Sequence, residues 1–204
     1  MGQNGRSFKG APRSLTVAAI AAGIGLVFAW FAGTGSLRIA GIPAVFLCAC
    51  LALAVNWLAF IPAAAFQSDR LYDTTGALTY LTVIAVACTA AYAAHGALQT
   101  RAMAVAGMVA IWTIRLGSFL FQRIHAAGGT DVRFEKIKVN PPRFLVAWTL
   151  QALWVIFTAS AALIIITTPV APPLDAFFWI GTGLWVIGFS FEVVADQQKR
   201  RFKA

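Results

Sequence analysis

Six apolar stretches in the chain are each long enough to cross a lipid bilayer. A hydrocarbon core of about 30 Å needs about 20 apolar residues in a helix. The stretches lie at about 14–32, 39–66, 77–98, 102–122, 144–168 and 174–194. Backbone polar groups find no water in lipid, so each stretch is predicted to be helical. We therefore expect an all-α, polytopic membrane helix bundle of about six transmembrane helices.

The composition supports the same class and argues against a separate soluble module. With 60% hydrophobic and 11% charged residues, the chain has more apolar surface than a globule of 204 residues can bury. We expect one transmembrane domain over residues 1–204. It would have a basic N-terminus at 1–13, six helices within 14–194 and a basic C-terminus at 195–204.

The basic residues between the stretches predict which way the helices run. Thirteen of the 16 lysines and arginines fall in segments on the side of the N-terminus, Arg38 and Arg101 fall on the other side, and Arg115 lies within a helix. The positive-inside rule then places both termini in the cytoplasm. The net charge of +9 lies mostly at membrane borders, where anionic lipid headgroups account for it. We expect membrane lipid as a partner and no nucleic acid.

A few polar residues interrupt the apolar stretches and mark a candidate site. An ionisable side chain near the bilayer centre costs about 2.5–3.5 kcal/mol on insertion scales, so it usually faces the protein interior. Arg115, Glu192 and Asp196 are ionisable and Gln151 is polar, and the predicted topology places all four towards the cytoplasmic side. Structural interpretations stay open: Arg115 as an ion-pair partner of Glu192 or Asp196, and Gln151 as a hydrogen-bond donor between helices.

Other candidates also have structural alternatives. Asp73 precedes an apolar stretch, which is typical of a helix N-cap, and Trp148 is an aromatic residue of the kind that packs in a core. A metal centre is not predicted, because His95 and His125 fall on opposite sides and the three cysteines lack CxxC spacing.

Five segments together resemble a known family. In order and spacing they are similar to the bacterial and fungal membrane proteins grouped with the steroid 5-alpha reductases, a group long called a domain of unknown function. The segments are 68–76, 115–120, 131–138, 142–154 and 188–199. The resemblance implies a multi-pass protein of the bacterial inner membrane.

The resemblance also implies an activity. Such a protein would use NADPH, from the cytoplasmic side, to reduce a carbon–carbon double bond conjugated to a ketone in a lipid or steroid-like substrate. Negative charge grows on the ketone oxygen during the reaction, so a fixed donor is needed beside it. Tyr72 or Tyr80, assisted by Arg115, would supply that donor.

The remaining site residues follow from the same resemblance. Glu192, Asp196, Arg200 and Lys203 would bind the cofactor, since the matching helix of the family helps to hold the dinucleotide. The residues expected to line the substrate pocket are Asp73, Trp148 and Gln151.

Related proteins continue beyond the last basic segment, with a further loop and helices that cover much of the cofactor. The resemblance predicts that this chain, ending at Ala204, is a partial product or a shortened relative without the usual NADPH enclosure.

Three other functions stay open: a non-catalytic scaffold or lipid-binding protein, a small transporter, and a methyltransferase of the isoprenylcysteine type that binds S-adenosylmethionine.

Overall fold

The structure, a computed structural model, describes residues 8–126, 134–170 and 173–203. It consists of helices and one short hairpin: α1 (Ala11–Ala32), β1 (Arg38–Ile39), β2 (Ile42–Pro43), α2 (Ala44–Ala65), α3 (Tyr72–His95), α4 (Thr100–Ala126), α5 (Pro141–Thr167) and α6 (Ala176–Lys203). These elements form two units, one that ends at Pro169 and contains α1–α5, and one that starts at Val170 and contains α6.

All six helices are long and apolar enough to cross a membrane. The predicted class, a polytopic all-α membrane bundle, is therefore confirmed. The protein is an integral, multi-pass membrane protein.

Helix α5 is the central helix of the first unit, since it contacts each of α1, α2, α3 and α4. Small side chains allow this close packing, as they do in many membrane helix pairs. At Gly25 of α1, for example, an added Cβ would lie 2.9 Å from Leu153 Cδ1 and 3.1 Å from Ile156 Cδ1. The contact between α1 and α5 thus depends on the missing side chain of Gly25.

The second predicted helix begins later than the sequence suggested. Residues 38–43, which include the start of the apolar stretch at Ile39, form a two-stranded antiparallel hairpin, and α2 starts at Ala44. Ala40 and Gly41 at its tip both have positive φ, at 51° and 81°, as a tight two-residue hairpin requires. Arg38 Nη1 donates to the Gly41 carbonyl at 2.8 Å and supports this turn.

Two other helices extend beyond their apolar stretches. Helix α3 begins at Tyr72 rather than at residue 77, so its first turn includes Asp73. A carboxylate there interacts favourably with the helix dipole. Helix α6 continues past Val194 to Lys203, so the basic residues of the C-terminus lie on the helix rather than after it.

The connections of the first unit gather at two ends. One end, called the opposite end below because it lies away from most basic residues, contains two hydrogen bonds between connections. The Leu37 amide donates to the Thr167 carbonyl at 2.7 Å, and Gln99 Nε2 donates to the Thr168 carbonyl at 3.5 Å. These bonds bring together the connections after α1, α3 and α5. Helices α1–α5 therefore alternate in direction along the chain.

The other end, called the basic end below, collects the N-terminal segment and the connections after α2 and α4. Asn140 caps α5 by accepting a hydrogen bond from the Arg143 amide at 3.2 Å. The same side chain donates to the Lys9 carbonyl at 3.1 Å. Three of the basic segments that the positive-inside rule assigns to the cytoplasm, those before α1, after α2 and before α5, thus lie at one end of the first unit.

Single cysteines test this sidedness without changing any charge. In spheroplasts, a membrane-impermeant maleimide is expected to label Ile39→Cys from outside, because the hairpin lies at the opposite end. Leu71→Cys, which is exposed next to Arg70, is expected to react only after permeabilisation. The parent protein, whose three cysteines lie within α2 and α3, serves as control, and labelling of Leu71→Cys in intact spheroplasts would contradict the assignment.

Candidate functional site

Two ion pairs at the basic end join the start of α3, and the residues just before it, to the end of α4 and to the connection that follows α4. Lys138 Nζ lies 3.0 Å from Asp69 Oδ1, and the Asp69 side chain is only 1% exposed. Arg123 Nη2 lies 3.2 Å from Asp73 Oδ2. Tyr72, the first residue of α3, lies between these two acids in the sequence and belongs to the candidate site.

Tyr72 belongs to an aromatic cluster with Phe134, Phe144 and Trp148. Its ring centroid lies 4.7 Å from that of Phe134 and 5.1 Å from that of Trp148. Its hydroxyl donates to the Ala147 carbonyl at 2.9 Å. Phe144 and Trp148 are fully buried. The cluster therefore joins the starts of α3 and α5, and it brings Tyr72 and Trp148 together.

Gln151 lies one turn further along α5 and reaches the same part of α3. Its Nε2 donates to the Tyr72 carbonyl at 2.8 Å, which confirms the interhelical hydrogen bond considered from the sequence. The amide lies where a side chain at residue 76 would be, because a Cβ added to Gly76 would overlap Gln151 Nε2. Gly76 is thus required for the approach of the amide to α3.

Two buried polar atoms of this group have no hydrogen-bond partner among the described residues. They are Nε1 of Trp148, a donor, and Oε1 of Gln151, an acceptor. A buried polar group without a partner costs about 1–3 kcal/mol. A ligand that reached these two atoms could offer an acceptor to the indole and a donor to the amide.

Tyr80 lies two turns deeper on α3, where its ring meets that of Trp112 edge-on at 5.1 Å. Its hydroxyl is hydrogen-bonded to the Thr158 hydroxyl on α5. Because Thr158 donates its one proton to the Trp154 carbonyl at 2.7 Å, Tyr80 must be the donor. Like that of Tyr72, its proton is given to an acceptor within the protein. The catalytic role of either tyrosine stays a prediction.

Arg115 lies on α4, half-buried, with its guanidinium 5.7 Å from the centre of the Phe119 ring. This distance suits a cation–π interaction. Helix α4 approaches α3 closely nearby, since a Cβ added to Gly117 would lie 2.8 Å from Ala77 Cβ. The assistance of Arg115 in catalysis, and its pairing with an acid of α6, both stay predictions.

The interpretation of Asp73 as a helix N-cap is wrong. The cap position of α3 is Leu71, and Asp73 lies inside the first turn. Its carboxylate pairs with Arg123 instead, because a carboxylate within the helix is better satisfied by a neighbouring cation. The role of Asp73 in lining a substrate pocket stays a prediction.

The four predicted cofactor residues all lie on α6. Glu192, Asp196, Arg200 and Lys203 fall within Ala176–Lys203 at spacings of four, four and three, so they share one side of the helix. Whether that side faces the aromatic cluster stays a prediction, and so does its binding of a dinucleotide.

One polar residue that the sequence analysis missed lies between α2 and α3. Asn56 of α2 is fully buried, and its Nδ2 donates to Thr79 Oγ1 of α3 at 3.1 Å. The signal was available, since a lone amide within an otherwise apolar transmembrane stretch usually faces another helix.

A methyl group at residue 76 tests the contact between Gly76 and Gln151. Gly76→Ala is expected to destabilise the protein by about 1–3 kcal/mol, as overpacking of a core does. Gly107→Ala is the matched control in α4, because a Cβ there has nothing within 4 Å and alanine favours a helix. Thermal unfolding in detergent measures both, and equal melting temperatures would show that the amide moves aside freely.

The two ion pairs are expected to differ in strength. Lys138→Met leaves the almost fully buried Asp69 without its lysine, whereas Arg123→Met affects Asp73, whose side chain is 17% exposed. Exposed pairs contribute about 0–1 kcal/mol, and breaking a buried pair costs about 3–5 kcal/mol. We expect a loss between these limits for Lys138→Met and a smaller one for Arg123→Met in urea unfolding. The reverse order would contradict the burial of Asp69.

The comparisons with known proteins add a family. A family model described as "Protein of unknown function (DUF1295)" matches residues 59–204. No curated protein and no solved structure matches the chain. The matched region is more than half of the chain and includes the aromatic cluster, the two ion pairs and α6. This multi-pass membrane protein therefore belongs to the DUF1295 family.

Proposed function

We propose that this protein is an oxidoreductase of the steroid 5-alpha reductase-like kind, which uses NADPH to reduce the double bond of a conjugated enone in a lipid or steroid-like substrate. One structural feature supports the proposal besides the sequence resemblance. Tyr72, Trp148 and Gln151 lie together near the basic end of the first unit.

The observation that carries the proposal is the buried indole N–H of Trp148, which has no acceptor among the described residues. A ketone oxygen is such an acceptor, and it becomes a stronger one as negative charge builds on it. A fixed donor in a site without water stabilises that charge and needs no reorganisation during the reaction. Trp148 thus provides the function that the sequence analysis assigned to a tyrosine.

The walls of the site suit an apolar substrate. Trp148 and Phe144 are fully buried, and Tyr72 and Phe134 complete an aromatic surface around the indole. An enone in a lipid or steroid-like molecule presents one polar oxygen and a large apolar body, which such a surface can cover. Tyr72 or Tyr80 could also donate to the oxygen, but each would first have to release its present acceptor.

NADPH fits the chemical character of the basic end. Its phosphates are anions, and Arg70, Lys136 and Arg143 are exposed there. In the proposal, Glu192, Asp196, Arg200 and Lys203 of α6 hold the dinucleotide, with the cations towards phosphate and Asp196 towards a ribose hydroxyl. The cofactor supplies the hydride that adds to the β carbon of the enone.

Substitution of Trp148 separates catalysis from packing. Trp148→Phe keeps an aromatic ring but removes the N–H donor, so the rate of enone reduction is expected to fall by about 10²–10³, as when one oxyanion donor is lost. Trp154→Phe, on the same helix but 66% exposed, is the matched control and is expected to keep its rate. A 3-oxo-4-ene steroid with NADPH, in detergent or liposomes, is the assay.

The binding of NADPH to the purified protein decides between the proposal and its alternatives. Saturable binding that is lost in Asp196→Ala, and that S-adenosylmethionine does not displace, supports a reductase. Binding of S-adenosylmethionine alone would indicate a methyltransferase. Binding of lipid with no dinucleotide at any concentration would indicate a non-catalytic protein, and either result overturns the proposal.

A further inference from the structure

Two arginines lie at the starts of α1 and α5, which both begin at the basic end and therefore run parallel. Arg13 is in the first turn of α1 and Arg143 in the first turn of α5, and both are exposed. The side chain of Asn140 joins the two starts, since it accepts from the Arg143 amide at 3.2 Å and donates to the Lys9 carbonyl at 3.1 Å. The two ion pairs described above include neither arginine.

Exposed apolar side chains continue from Arg13 along α1. Val17, Ile20 and Ile24 follow it at spacings of four, three and four, and all three are exposed. These spacings place them on one side of the helix. The stripe leads to Phe28, which lies one turn beyond Ile24.

Helix α5 carries a matching stripe. Leu150, Trp154 and Phe157 follow Arg143 at spacings of seven, four and three, and all of them are exposed. The two stripes meet at their far ends, because the Phe28 and Phe157 rings pack edge-on with their centroids 4.7 Å apart. Asn140 joins the same two helices at the near end, so the stripes lie side by side along their length.

Small residues of α1 make the space between the stripes a groove. Ala18, Ala21 and Gly25 are buried on one side of α1. A Cβ added to Gly25 would lie 2.9 Å from Leu153 Cδ1 and 3.1 Å from Ile156 Cδ1. The helices therefore touch along these small residues, while the larger side chains on both sides stand out into the membrane. The groove is open to lipid.

The length of the groove matches one leaflet of a bilayer. From Arg13 to Phe28, α1 rises about 22 Å at 1.5 Å per residue. Half of a bilayer, with its headgroup region, measures about 20–22 Å. When the arginines lie at the headgroups, the Phe28–Phe157 pair closes the groove where the acyl chains of that leaflet end.

The charge of the groove selects the kind of lipid. Neither α1 nor α5 contains an acidic residue, so the two guanidinium groups are not neutralised by the helices that carry them. A guanidinium binds a phosphate through paired hydrogen bonds. A zwitterionic headgroup brings a cation of its own, which the arginines repel, whereas an anionic headgroup does not.

We infer that the groove between α1 and α5 binds one anionic phospholipid of the leaflet at the basic end. Its phosphate lies between Arg13 and Arg143, and one acyl chain lies along the apolar stripes as far as the Phe28–Phe157 pair. The inference goes beyond the proposed function and does not depend on it.

Competition between two lipids tests the headgroup. Phosphatidylglycerol and phosphatidylcholine with identical acyl chains are mixed in equal amounts with the purified protein, and native mass spectrometry counts the lipids retained. One phosphatidylglycerol is expected to stay bound, and Arg13→Gln and Arg143→Gln are each expected to reduce its retention about fivefold. Arg70→Gln removes an exposed cation at the same end but outside both stripes, and is expected to keep the preference.

Brominated acyl chains, which quench tryptophan fluorescence on contact, test the groove. In nanodiscs, brominated phosphatidylglycerol is expected to quench more than the same content of brominated phosphatidylcholine, and Trp154→Phe is expected to remove this excess. Trp179→Phe is the matched control, because Trp179 on α6 is 60% exposed and lies on neither stripe. The excess is expected to persist in that variant.

Three results would overturn the inference. The first is equal retention of the two lipids, or a preference for phosphatidylglycerol that survives the double substitution of Arg13 and Arg143. The second is displacement of the lipid by inorganic phosphate, which would show a site for a free anion. The third is excess quenching that survives in Trp154→Phe, which would place the lipid outside the groove. None of these results bears on the binding of NADPH.

Discussion

A polar atom inside the hydrocarbon layer has no water to bind, and this constraint accounts for the polar contacts between helices in the first unit. Trp57 Nε1 on α2 donates to Thr149 Oγ1 on α5, and Asn56 donates to Thr79 on α3. Gln151 binds the backbone of α3 through its amide. Each bond satisfies a polar group that would otherwise lack a hydrogen-bond partner, and each also fixes how one helix is rotated against another.

The interior changes in character along the bundle. At the basic end the polar groups are charged and paired, as Asp69 and Lys138 are. Further in they are neutral amides, hydroxyls and an indole. Beyond these, the space between α2, α3 and α5 is lined by side chains such as Cys48, Ala49 and Val83 and has no room for a water molecule. Trp148 Nε1, Gln151 Oε1 and Asn56 Oδ1, which are buried and have no partner among the described residues, belong to the middle layer.

Part of the site could be predicted from the sequence, because depth in a membrane follows from counting residues. Tyr72, Trp148 and Gln151 each lie near the cytoplasmic start of a predicted helix, so their common depth needed no structure. Asp73 was misjudged as a cap because the apolar stretch begins after it, whereas α3 begins at Tyr72. Hydropathy marks where the lipid begins. It does not mark where the hydrogen-bonded helix begins.

The sequence alone determined the number and type of the membrane helices, since these depend on the local sum of hydropathy, and the positions of its basic residues predict which way they run. It did not determine which face of each helix packs inward, because lipid and protein core are both apolar. In α1 the inward residues are small, such as Ala18 and Ala22, and the outward ones large, such as Ile20 and Ile24. Only the tertiary structure decided that Gln151 reaches α3 over Gly76 and that the Trp148 N–H has no acceptor among the described residues. Both results depend on how each helix is rotated about its axis, which hydropathy does not determine.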